Sequence, residues 1–112
     1  METLLVRELR LMKDPTFNSG PQVLESHRIS KKVDLPGIPP DGLVLQDAHM
    51  CMAVDGAVYD LVNKSLLVRI RPETVYTKEK LQGALMAYQV LGWFPFPHPE
   101  NKEVPDGGGN EE

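Results

Sequence analysis

The segment Pro36-Gly37-Ile38-Pro39-Pro40-Asp41-Gly42 constrains this chain more than any other feature. Its three prolines have no backbone N–H to donate and push the residue before each of them out of the α region, so no regular element passes through. It reads as a stiff connector. Upstream, Asp14-Pro15 and Asn18-Ser19-Gly20-Pro21 supply turn chemistry and predict a loop. Downstream, Pro72 stops one run, and the alternating prolines of Trp93-Phe94-Pro95-Phe96-Pro97-His98-Pro99 enforce an extended backbone.

The pieces between these stops read mostly as strands. Residues 3–13 fit both a helical stripe (Leu5, Leu9, Met12) and a strand alternation interrupted by Arg7, and a strand is preferred. In 27–35, Ile29, Val33 and Leu35 share one parity and Ser30, Lys32 and Asp34 the other. This predicts a half-buried strand at a sheet edge, where lysines discourage further pairing. Residues 42–46, 50–54, 57–62 and 65–71 carry β patterns; Asp55-Gly56 signals a hairpin and Asn63-Lys64 a second turn, giving a three-stranded meander over 50–71. One helix is predicted over 77–91, with Thr77 as N-cap, Glu79 in the first turn and Gly92 just past its end. Leu81, Ala84, Leu85, Tyr88 and Leu91 form its apolar stripe. The expected fold is α+β: a mainly antiparallel sheet of four to six strands packed against this C-terminal helix.

Charge divides the chain again. The 12 Lys and Arg and 16 Asp and Glu give a net −4. Residues 99–112 hold five of the acids and only Lys102, which accounts for the whole excess. The expectation is one domain over 1–98 and a disordered, acidic, Gly-rich tail over 99–112. A neutral body is poorly placed to neutralise many phosphates, which argues against nucleic acid as a partner. Arg69 and Arg71, with Arg7, Arg10, Lys31 and Lys32, make a basic stripe if their strands are neighbours, but a solvated face laced by Glu8 and Asp60 is preferred. The single cysteine excludes an intramolecular disulfide, and charges at Glu2, Arg7, Glu8 and Arg10 break up the N-terminal apolar stretch. No apolar run approaches the length needed to span a bilayer. A cytoplasmic protein without membrane contact is expected.

The reactive residue types cluster only in Asp47-Ala48-His49-Met50-Cys51. If that stretch is extended, Asp47, His49 and Cys51 project from one face at about 6.5–7 Å per step. A thiolate nucleophile needs an imidazole within reach and oxyanion donors, and a zinc site needs at least three suitably spaced ligands. Neither pattern is present, and a lone cysteine is more often a small hydrophobe. His27 and His98 add no metal-ligand spacing, and no phosphate-loop, dinucleotide or nucleophile-elbow motif occurs. No metal and no cofactor is expected.

Three aromatics in the Pro-stiffened segment 93–99 lose little entropy on docking. Trp93 and Phe94 are expected to fold back onto the core, with Phe96 and His98 exposed; Ile38 projects from the proline connector. The candidate partner-binding residues are therefore Phe96, His98, Ile38 and Trp93. The functional expectation is a small non-enzymatic accessory, inhibitor or immunity-type protein that acts through contacts with another protein. The alternatives are a structural assembly subunit, of a phage or other complex, and a small thiol or metal-dependent enzyme using Asp47, His49 and Cys51.

Overall fold

The computed structural model describes residues 1–13, 20 and 22–96. They form a seven-stranded mixed sheet and one helix: β1 (Glu2–Lys13), β2 (Gln22–Asp34), β3 (Val44–Asp47), β4 (Met50–Asp60), β5 (Ser65–Ile70), β6 (Glu73–Val75), α1 (Lys78–Val90) and β7 (Phe94–Pro95). The spatial order is β3-β4-β5-β1-β2-β7, with β6 also paired to β1. The α+β architecture matches the expectation. The strand number exceeds it because the short β6 and β7 complete the sheet, and β1 runs antiparallel to β2 but parallel to β5 and β6.

β1 is the centre of the sheet. Thr3, Leu5, Arg7, Leu9 and Leu11 are buried while their even-numbered neighbours are not, so a period of two decides the helix–strand ambiguity. α1 lies on this odd face with Leu81 and Tyr88 buried and Ala84, Leu85 and Leu91 packed beside them, the stripe predicted from sequence. Thr77 caps it, its Oγ1 accepting from the Lys80 N–H at 3.1 Å. At the other end Gly92, at φ +95°, lets its own N–H reach the Gln89 carbonyl and the Trp93 N–H reach that of Tyr88, each at 3.0 Å. This Schellman closure satisfies two orphan carbonyls and turns Trp93 inward. Its ring meets Tyr88 edge-on with centroids 5.4 Å apart.

Asp55-Gly56 is not a hairpin. β4 runs through it: Val54 faces Ile70 and Ala57 faces Val68, so β4 carries one extra residue, a bulge. Gly56 sits at φ +109°, and a Cβ there falls 2.8 Å from Arg69 Nη2. A bulge and a tight turn both use a residue at positive φ, and pairing of both halves of β4 with β5 selects the bulge. The chain instead reverses at Ala48-His49, with Ala48 at φ 56°, and over 61–64, with Lys64 at φ 55°. In the second turn Asp60 Oδ1 accepts from the N–H groups of Val62 and Asn63 at 2.9 and 3.2 Å. The meander is therefore β3-β4-β5, spanning 44–70 rather than 50–71.

β2 begins at Gln22, ahead of the expected 27, and β7 pairs with its middle at Ile29 and Ser30, so β2 is not a bare edge there. Pro95 is tolerated because β7 is an edge strand. The predicted turn residues 14–19 and 21, and the predicted tail 99–112, lie outside the described residues.

A helix of 13 residues is only about 20 Å long and cannot cover seven strands. The sheet does the rest by curling. β3 and β2 stand four places apart in the sheet order, yet Lys31 Nζ on β2 donates to Asp47 Oδ2 on β3 at 2.7 Å. Accumulated strand twist thus brings the β3–β4 end over the part of the odd face that α1 leaves open.

Candidate functional site

The Asp47–His49–Cys51 row does not form. β3 ends at Asp47, the chain reverses at Ala48-His49, and Cys51 continues in β4 opposite Gln46. His49 and Cys51 are exposed, whereas Asp47 is half-buried and points to the core side. Its Oδ2 also accepts from the Trp93 indole N–H at 3.1 Å, tying β3 to the turn after α1. Burial pushes the Asp47 carboxyl up, but the Lys31 ammonium and the Trp93 indole more than offset this and hold it below the usual carboxylate range. Among the described residues no three His, Cys, Asp or Glu side chains converge as metal ligands.

A depressed folded-state pKa stabilises the fold above the unfolded carboxylate value near ~4 and loses that contribution as pH falls through the folded value. Asp47→Asn is therefore expected to show a smaller fall in Tm than the parent chain on acidification from neutrality to below that range. Thermal unfolding followed by circular dichroism checks this; parallel pH profiles for the two chains contradict it.

A second polar cluster lies inside the helix-packed face. Between β5 and β6 the ladder on β1 is interrupted at Arg71-Pro72, and Arg7 fills the gap. Arg7 Nε donates to the Arg71 carbonyl at 2.9 Å and Nη1 to Tyr88 Oη at 2.7 Å. Tyr88 in turn donates to Glu73 Oε1 at 2.7 Å. Burial, reinforced by the Glu73 carboxylate, pushes the Tyr88 phenol far above its ordinary value, so it stays protonated and acts as a fixed hydrogen-bond bridge. Arg7, an interruption of the strand pattern when read from sequence, is the residue that joins β1, α1 and β6.

Among the described residues no helix lies on the even face of the sheet. Arg10, Arg28 and Arg69 come together there from β1, β2 and β5, with Glu8, Asp55 and Phe96, around a groove of about 540 Å³. Glu8 stands opposite Arg28, and Val6 beside Arg69. Glu8 Oε1 accepts from Arg10 at 3.0 Å, whereas Arg28 and Arg69 have no side-chain partner among the described residues. The sequence-expected stripe thus splits: Arg10 and Arg69 share this face, while Arg7 and Lys31 face the core side. Glu8 does lace the face, but Asp60 closes the 61–64 turn instead. Arg28 was not singled out in the sequence, and only its register against Glu8 reveals it. Farther along, Leu4, Val58 and Leu67 make an apolar depression on the same sheet face.

The expected partner-binding residues fare differently. Trp93 is 2% exposed, so it is a core residue and not a contact for a partner. Phe94 points the opposite way, 48% exposed, as strand alternation requires of its neighbour. Phe96 is half-buried at the groove, its N–H donating to the Arg28 carbonyl at 2.9 Å. Ile38 is 60% exposed in the proline connector, away from the groove lining. His98 lies outside the described residues.

In comparisons with known proteins, the chain matches no protein-family model, no curated protein and no solved structure. Among the described residues no helix is long and apolar enough to cross a membrane.

Proposed function

We propose that this chain acts by binding another protein through the helix-free face of its sheet, as a non-enzymatic accessory or inhibitory factor of the cytoplasm. The observation that supports the reading is the groove. Arg28 and Arg69 lie there without side-chain partners among the described residues, beside Phe96 and next to the apolar depression of Leu4, Val58 and Leu67. Arginine and aromatic side chains are enriched among residues that dominate interface energetics.

The test compares affinity capture from the source cell by three forms of the full chain. Phe96→Ala combined with Arg28→Glu is expected to lose the captured protein by about tenfold or more, as hot-spot truncation does. Met86→Ala, an exposed position on the outer side of α1, is expected to retain it. Phe96→Ala alone shifts Tm little, because the backbone bond to Arg28 remains. Equal losses at Met86 and at the groove, or none at either, refute the reading.

A further inference from the structure

Building on the reading of this face as a protein-binding surface, we infer that its groove takes an extended acidic segment of the partner, with two carboxylates meeting Arg28 and Arg69. The charge complementarity is local. Of the three arginines in the groove, Arg10 is already held by Glu8, which leaves two guanidinium groups to receive anions. Each presents a planar fork that matches a carboxylate with two parallel N–H donors.

Register sets the spacing. Arg28 is aligned with Glu8 on one side of β1, and Arg69 with Val6 on the other. Two strand spacings across and two residues along place their backbones about 12 Å apart. An extended chain covers about 10–14 Å in three to four residues, so acidic residues at i and i+3 or i+4 reach both arginines. The two or three residues between them cross β1 between Val6 and Glu8. Glu8 and Asp55, on the same groove, repel a continuous run of phosphates but leave two separated carboxylate positions, which favours a peptide over a nucleic acid strand.

The test uses the isotope-labelled full chain and follows the arginine Nε–H signals by NMR. The probe is a capped pentapeptide with glutamate at both ends and Val-Gly-Val between; the controls are the same peptide with glutamine ends and a single-stranded hexanucleotide. Saturable shifts at Arg28 and Arg69 are expected with the acidic peptide, with binding at least about fivefold weaker for the glutamine peptide. The shifts are expected to vanish in Arg28→Gln/Arg69→Gln, whose melting temperature is unchanged. Absence of saturation by about 10 mM peptide overturns the inference, as do equal binding of the glutamine peptide and tighter binding of the hexanucleotide. If the peptide fails while the groove variant still loses a captured protein, the acidic-segment inference falls and the binding face stands; if capture is also indifferent to the groove, both fall.

Discussion

Trp93→Ala is expected to destabilise the domain by about 3–5 kcal/mol, the usual cost of removing a large aromatic from a packed core. Three features place it at this level. The side chain is among the largest of the fully buried ones, it meets Tyr88 edge-on, and its indole N–H is bonded to Asp47. The cavity opens where the turn after α1, the helix itself and the curled β3 end meet, so no single element can collapse into it. Against a typical total of about 5–15 kcal/mol, the loss is a large share of the stability. A fall in Tm of about 10–25 °C is expected for a chain of this size. Trp93→Phe keeps an aromatic against Tyr88 and leaves Asp47 with Lys31, so its cost is limited to a smaller cavity and one lost hydrogen bond, about 1–2 kcal/mol. Thermal melts by far-ultraviolet circular dichroism read both. A Trp93→Ala melt within a few degrees of the parent, or no milder than Trp93→Phe, contradicts the packing described.

Arg7 Nη1 also lies 3.7 Å from Glu73 Oε1, and Arg7→Ala is expected to cost about 3 kcal/mol, the lower end of the range for removing one member of a buried ion pair. The lower end applies because the Glu73 side chain is 34% exposed, so water reaches the carboxylate that is left behind. The Arg71 carbonyl also loses its donor from Arg7, and Tyr88 Oη keeps only its bond to Glu73. Tyr88→Phe is milder, at about 1–2 kcal/mol, since it breaks the bridge but leaves Arg7 and Glu73 in place. The cluster predicts strong coupling. Arg7→Leu and Glu73→Leu together are expected to cost less than the sum of the two single changes by at least about 1 kcal/mol, because the double variant buries no orphaned charge. Chemical denaturation of the four chains gives the cycle, and additive costs contradict a shared network.

Parts of this architecture are legible residue by residue and parts are not. The helix is legible throughout: the Leu81–Leu91 stripe, the Thr77 cap and the Gly92 stop all involve groups within a few residues of one another. The strand at 65–70 follows from its period of two, whereas the first strand fits a helical stripe as well and only its alternating burial settles it. Arg7 is legible only as an anomaly, because its bridging partner Tyr88 lies 81 positions away. Asp47 sits in a stretch that looks like a reactive row if extended, and a reversal at Ala48-His49, neither of them a turn-forming glycine, dismantles it. The groove is less legible still. Arg10, Arg28 and Arg69 belong to three separate strands, and Arg28 carries no distinguishing neighbour in the sequence.

What the sequence by itself determined is the helix with its buried stripe and most of the longer strands, though not the short β6 and β7, because alternation, caps and proline stops act over a handful of residues. The tertiary structure alone decided how these elements pair: β1 between β2 and β5, the Asp55-Gly56 bulge, the curl that joins Lys31 to Asp47, and the two arginines aligned across β1. Pairing depends on contacts between distant segments, and closing a longer loop costs only slightly more entropy, so separation along the chain leaves little mark on the choice of partner. Asp55-Gly56 carries the distinction in one dipeptide: its tolerance of positive φ is written in the residues, but whether that becomes a turn or a bulge is settled by β5 lying alongside.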